Sequence, residues 1–166
     1  MGISGIVRYT LRSARFGLIV GGLWLIFRLI RRRGRPDLRS EGKTLLFVIY
    51  MAMLAEIIAL RGGSGGTRAV QLLPLKTTLA ELRAGAWPFA YHLIGNMIWF
   101  VPMGVFLPVL WKTGFIKTLA LGAGVSAILE ILQYALGSGV TDIDDVIINT
   151  LGAAAGWMIF RIRRRR

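Results

Sequence analysis

His92 is the single histidine in this chain of 166 residues. It opens the stretch HLIGNMIWFVPMGVFLPVLW, residues 92–111, with Asn96 one helical turn further on in an otherwise apolar run. Polar side chains left unpaired in hydrocarbon are costly, so both need partners. Glu130 and Gln133 in SAILEILQYAL, Asp142 and Asp145 in TDIDD, and Asn149 in VIINTL are candidates. An imidazole beside a carboxylate, each in its own environment, meets the condition for acid/base chemistry. His92 and Glu130 are therefore the expected catalytic pair. Asn96, Gln133, Asp142, Asp145 and Asn149 are the expected binding groups. The same oxygens with one imidazole could hold a divalent cation, but neither H-E-x-x-H nor a comparable spacing is present. Metal binding stays open, and no cofactor is legible. A third reading makes the set a hydrogen-bonded network that fixes helix register. No nucleophile with a base at fixed spacing appears, nor does a phosphate-cradling loop.

These groups need a scaffold, and composition says which kind. The chain is 55% hydrophobic with a mean hydropathy of +0.62, too apolar for an ordinary soluble domain. The net charge of +13 comes from 21 Lys and Arg against 8 Asp and Glu. The bases flank apolar runs, as expected for anchoring at an anionic leaflet rather than for nucleic-acid binding. There is no Cys, which excludes disulfides and thiolate metal sites. The N-terminal apolar run leads into an Arg cluster without a small-residue cleavage site, unlike a signal peptide.

A spanning helix needs about 20 mostly apolar residues, and runs 43–60, 89–111, 118–136 and 146–162 qualify. A fifth run, 16–30, is shorter and contains Arg28, whose long stem could carry its charge to the interface. The expected fold class is all-α, a polytopic transmembrane bundle of four core helices plus an N-terminal fifth. Residues 1–42 would form the N-terminal segment with a basic linker, 43–162 the four-helix membrane domain and 163–166 a basic tail. Basic residues set orientation. RRRGRPDLRSEGK at 31–43, Lys112 with Lys117, and Arg161 with the arginines from 163 onward all fall on one side if the four strong runs alternate. That side is expected to be cytoplasmic, with the 61–88 and 137–145 loops outside.

Depth and angle bring the polar groups together. At about 1.5 Å per residue, Glu56, His92, Asn96, Glu130, Gln133 and Asn149 all fall in the outer part of the bilayer, with Asp145 at its mouth. His92, Asn96, Trp99 and Met103 share a helical face, as do Ser126, Glu130 and Gln133. Asp145, Asn149, Gly152 and Gly156 form a third stripe, whose lower half is a G-x-x-x-G that permits close helix approach or receives a partner helix. Intramembrane ionisable residues usually face a bundle interior or a cavity, so an outward-opening polar pocket is expected.

The outer loop, VQLLPLKTTLAELRAGAWP, reads as a short amphipathic helix at the interface. Thr78 and Glu81 have capping-box spacing, and Leu79 and Leu82 share one face. Glu56 lies near enough to Arg61 to pair with it. Asp144 points off the Asp145 stripe and is expected to be solvated or capping. Trp99, Trp111 and Trp157 read as packing groups or interface anchors.

Several segments resemble those of the VanZ-like family of membrane proteins. GNMIWFVPMGVFLPVLW is similar to its G-N-x-x-x-F-x-P-x-G-x-x-x-P segment. SAILEILQYALGSGVTDIDDVIINTLGAAAG is similar to its E-x-x-Q, D-x-D-D and N-x-x-G signature. VQLLPLKTT resembles its N-L-I-P-F-x-x-I loop, with Gln71 and Leu75 in the Asn and Phe positions. The likeness covers roughly residues 45 to 160. It picks out Asn96, Glu130, Gln133, Asp142, Asp144, Asp145 and Asn149, with Pro74, Pro102, Gly104 and Gly152. Many members carry an Arg before D-x-D-D, where this chain reads GSGVT. The resemblance implies a small polytopic bacterial membrane protein. The family's founding member is associated with teicoplanin resistance, so the resemblance implies a cell-envelope role linked to glycopeptide tolerance. The expected partner is a membrane lipid or lipid-linked envelope molecule. A small-solute or ion transporter and a helix-packing scaffold are the competing roles.

Overall fold

A computed structural model describes residues 3–31, 37–59 and 68–165, and these divide between two compact units, Met1–Arg61 and Gly62–Arg166. The first unit holds α1 (Ile3–Arg31) and α2 (Leu38–Ala59). α1 begins well before the expected run at 16–30, because Thr10, Leu11 and Ser13 continue the helix without a breaker. Small residues set its contact with α2. Ser13, Gly17 and Gly21 recur every fourth residue and are all buried. A Cβ on Gly17 would lie 2.6 Å from Met53 Cγ, and one on Gly21 2.5 Å from Ile49 Cγ1. Only a bare backbone fits there, which is the close approach that membrane helices use in place of hydrophobic force.

Charge inside this unit is paired. Arg28 donates to Glu41 of α2 at 2.5 Å and sits 5.7 Å from the centre of the Trp24 ring. Glu56, also on α2, is buried and takes Arg12 Nε at 2.7 Å together with the Ser13 hydroxyl. The partner of Glu56 is thus on α1; Arg61, the partner expected from sequence, lies outside the described residues.

The second unit runs β1 (Ala69–Gln71), α3 (Lys76–Ala84), α4 (Ala86–Trp111), α5 (Phe115–Leu136), β2 (Val140–Asp142) and α6 (Ile143–Arg165). Among the described residues four helices are long and apolar enough to cross a membrane: Thr10–Arg31 of α1, and α4, α5 and α6. α2 covers 43–59 of the remaining expected run, 43–60, and is not among those four. The chain is therefore an all-α, multi-pass membrane protein.

α4 stays helical through Pro102 and Pro108. Such breaks are tolerated where neighbouring helices cover the freed backbone. α6 packs closely against this helix. A Cβ on Gly104 would lie 2.0 Å from the Ala153 carbonyl oxygen. On Gly152 it would be 2.4 Å from Met97 O, and on Gly156 2.0 Å from Val101 O. Glycines from both helices therefore alternate against opposing carbonyls. The G-x-x-x-G face is filled by α4 of the same chain. α5 closes on α6 through Gly122, whose Cβ would meet that of Ala153 at 2.9 Å. The buried apolar centre of the unit is Phe100, Met103, Leu107, Leu129, Ile148 and Ala153.

The two strands are the element that sequence does not announce. β1 and β2 pair in parallel, with Ala69 opposite Val140 and Gln71 opposite Asp142. Each is three residues long, too short to show an alternating pattern. They tie the segment before α3 to the segment before α6, which sets the geometry of the site.

Candidate functional site

Four elements end together where α3, the start of α4, the end of α5 and the start of α6 meet. α6 begins with its own cap. Asp142 Oδ1 accepts the Asp144 amide at 2.9 Å, the usual service of an aspartate before a first turn. The other Asp142 oxygen takes the Thr77 hydroxyl of α3, and Gln71 Nε2 reaches Oδ1 at 3.4 Å. Gln71 also closes its own turn, donating to Leu73 O at 2.7 Å and accepting Leu73 N at 2.8 Å.

Asp144 caps the other helix. It is 1% exposed, and its carboxylate accepts the Leu75 amide at 2.5 Å, the Thr78 amide at 2.9 Å and the Thr78 hydroxyl at 3.0 Å. The expected capping box between Thr78 and Glu81 is not formed. Leu75 is the residue before α3, with φ 64, and has no side chain able to cap; Thr78 sits inside the first turn. A carboxylate from another helix supplies the acceptor, so Asp144 is a cap, buried rather than solvated. Anions belong at this position because the helix N-terminus carries unpaired N–H groups and partial positive charge.

His92 lies at the centre. Its Nδ1 is 2.5 Å from Glu81 Oε2 and its Nε2 is 2.5 Å from Asp145 Oδ1. Asn96 Nδ2 donates to the same Asp145 oxygen at 2.6 Å. One imidazole therefore links α3, α4 and α6, while Asn96 holds Asp145 from one turn below. Each N···O contact needs a proton between its atoms, so the imidazole and the two carboxylates hold two between them. All three side chains keep some exposure, 14% for His92, 30% for Glu81 and 18% for Asp145. The cluster is thus only partly buried and keeps an open edge.

Glu130 is placed elsewhere. It is buried, and its Oε2 accepts the Asp142 amide at 2.8 Å, while its backbone carbonyl takes the Thr141 hydroxyl at 2.9 Å. Both ring nitrogens of His92 are taken by Glu81 and Asp145, so the expected His92–Glu130 pairing is not present. Glu130 instead braces the β2 turn from α5. Gln133, buried on the same face, accepts Ser138 N at 3.0 Å through its carbonyl and lies beside Gly139. Asn149 donates to Ser126 of α5 at 2.9 Å, and its Oδ1 is buried without a hydrogen-bond partner. The three sequence-derived stripes thus do turn inward, but they serve different partners. Asn96 and Asp145 meet at His92; Glu130, Gln133 and Asp142 hold the turn; Asn149 ties α5 to α6.

Glu81 is the site residue that sequence reasoning assigned to another task. Its spacing from Thr78 suggested a cap, whereas its place eleven residues before His92, across one glycine, was the signal available. Gly85, with φ 137, lets α3 end and α4 begin within a single residue. Both histidine lone-pair positions face carboxylates, and among the described residues no group of three or more His, Asp or Glu converges as a metal site.

The fold and this cluster define a class: a small multi-pass α-helical membrane protein whose acidic residues stitch helix ends together. The chain belongs to the VanZ/LLP1 family, whose model matches residues 44–164. Protein VanZ of Enterococcus faecium is 36% identical over 75 residues, which are 45% of this chain and 47% of that protein. The match thus spans about half the length of that curated relative. No solved structure matches the chain.

Proposed function

We propose that the chain binds, and through His92 acts on, a cell-envelope molecule at the outer leaflet of the bacterial cytoplasmic membrane. The observation that carries this reading is the partly exposed His92 held between Glu81 and Asp145. A ligand can reach the ring only through such an open edge. In this reading His92 holds and moves the proton, Asp145 orients the ring with help from Asn96, and Glu81 fixes its other side. Glu130, Gln133, Asp142 and Asn149 are positioning residues, keeping the helix ends in register around it.

With α2 spanning alongside α4, α5 and α6, the basic segments at 31–43, 112–117 and the C-terminal arginines fall on one side, which favours a cytoplasmic C-terminus and an external cluster. A membrane lipid or a lipid-linked envelope precursor fits that location. Kinship with Protein VanZ supports a link to glycopeptide tolerance. A transport pathway is less well supported, because below Asn149 the α4–α6 contact is glycine against backbone carbonyl, with no room for a solute. The test is teicoplanin survival of a susceptible host expressing the chain or its variants at matched membrane abundance. The chain should raise survival, and His92→Gln and Asp145→Asn should remove the gain. No gain from the unaltered chain would overturn the glycopeptide link. A full gain with both variants would overturn the site.

A further inference from the structure

α3 buries none of its side chains, yet it is a regular helix fixed to its neighbours by Asp142, Asp144 and His92. At about 100° per residue the eight positions before Ala84 sort into three stripes. Thr77, Thr78 and Glu81 face the bundle, where each makes the contacts given above. Leu79 and Leu82 lie within about 60° of each other on a second stripe. Lys76, Ala80 and Arg83 form a third. The leucine and cation stripes are exposed, and neither Lys76 nor Arg83 is in an ion pair among the described residues.

Apolar exposure continues on both sides of α3. Leu72 and Leu73 before it are 67% and 65% exposed, and Trp87 after it is 79% exposed. Down α4 the same exposure runs on through Tyr91, Ile94 and Ile98, the lipid-facing surface of a spanning helix. α4 has 26 residues, about 39 Å at 1.5 Å each, against a hydrocarbon core of about 30 Å. Its first turns therefore lie at headgroup level, and a single glycine joins α3 to them.

We propose that α3 and the preceding Leu72–Leu75 turn are a lip inserted into the leaflet on the His92 side, with bilayer lipid as the partner of their exposed face. Leu72, Leu73, Leu79 and Leu82 enter the acyl layer beside Trp87. Lys76 and Arg83 lie toward the phosphates of anionic lipids, as expected where an interfacial helix carries bases on its polar flank. The Asp144 cap and the His92–Glu81 contact hold the helix at that depth. Resting on the binding role proposed above, this makes the ligand an amphiphile that reaches His92 from the leaflet with its head group at the level of Glu81.

The absence of cysteine makes the test direct. Single-cysteine variants Leu73→Cys, Leu79→Cys, Leu82→Cys, Lys76→Cys and Arg83→Cys of the full chain are spin-labelled in phosphatidylcholine–phosphatidylglycerol vesicles. Collisions with oxygen and with a water-soluble nickel chelate are then measured. Labels at 73, 79 and 82 should favour oxygen at least severalfold over labels at 76 and 83, which should favour the chelate. Chelate access at all five positions would overturn the lip. So would shielding of 73, 79 and 82 from both reagents that is relieved by diluting the protein in lipid, since a second copy would then cover the face. A lipid-inserted lip together with unimpaired His92→Gln survival would instead sink the binding role and leave the lip standing.

Discussion

Removing the Asp144 carboxylate should release α3 while leaving the spanning helices intact. Asp144→Ala deletes three acceptor contacts, to the Leu75 amide at 2.5 Å, the Thr78 amide at 2.9 Å and the Thr78 hydroxyl at 3.0 Å. Losing a helix N-cap costs about 0.5–2 kcal/mol, and hydrogen bonds to a charged group contribute about 1.5–3 kcal/mol. α3 buries no side chain of its own, so its freed amides can turn to water or headgroups. That places the cost near the lower end of the summed range, about 2 kcal/mol. At about 1.4 kcal/mol per decade, local opening of α3 should rise about 30-fold. Hydrogen exchange of the full chain in lipid reads this directly, because exchange follows local opening. The amides of Leu79 through Ala84 should exchange about 30-fold faster, with those of α6 beyond Asn149 unchanged. Asp144→Asn keeps one acceptor oxygen and should produce a smaller rise. Unchanged exchange across α3 in Asp144→Ala would refute the idea that this carboxylate holds the helix.

Other perturbations follow from the same contacts. Gly156→Ala would put a methyl 2.0 Å from Val101 O. The resulting separation of α4 from α6 should cost about 1–3 kcal/mol and lower the thermal midpoint in detergent. Gly124→Ala, with nothing within 4 Å of the new methyl, should leave that midpoint level or slightly raised. Gly85→Ala meets only Pro88 Cδ at 3.8 Å but must keep φ at 137. Backbone strain there should cost about 1–3 kcal/mol, read as faster exchange in α3 and in the first turn of α4. Glu130→Gln keeps an oxygen for the Asp142 amide, so its fold should survive better than that of Glu130→Ala, measured by the same midpoint.

Much of the fold is written in patterns longer than any local contact. Runs of about 20 apolar residues specify helices almost regardless of detail, which is why α4, α5 and α6 follow their expected spans closely. The Gly152 and Gly156 stripe was also legible, because a bare backbone at every fourth position has few other uses. Its partner was not, since a glycine face does not encode which helix fills it. The repeat of Ser13, Gly17 and Gly21 carries the same signal but is embedded in a basic, apparently short run. Helical angle found that Asn96 and Asp145 point inward, and it placed Glu130 and Ser126 inward too. It could not separate neighbours at the same depth, so Glu130 was matched with His92 when the β2 turn lay closer. Glu81 was misread, and the helix that Asp144 caps was not foreseen, for a shared reason. Capping rules look along the chain, and here the cap of α3 comes from α6, leaving Glu81 free to reach His92. The parallel pairing of Ala69–Gln71 with Val140–Asp142, which makes that exchange possible, joins segments 71 residues apart in sequence.

Because His92 is the sole histidine, its ring can be labelled with nitrogen-15 without ambiguity. Dipolar recoupling to carbon-13 carboxyl groups of Asp and Glu, on the chain in lipid bilayers, measures whether one imidazole joins three helices. Nδ1 should couple to a glutamate carboxyl carbon and lose that coupling in Glu81→Gln. Nε2 should couple to an aspartate carboxyl carbon and lose it in Asp145→Asn. A ring whose nitrogens couple to neither carboxyl, or to a glutamate that survives Glu81→Gln, would contradict the arrangement.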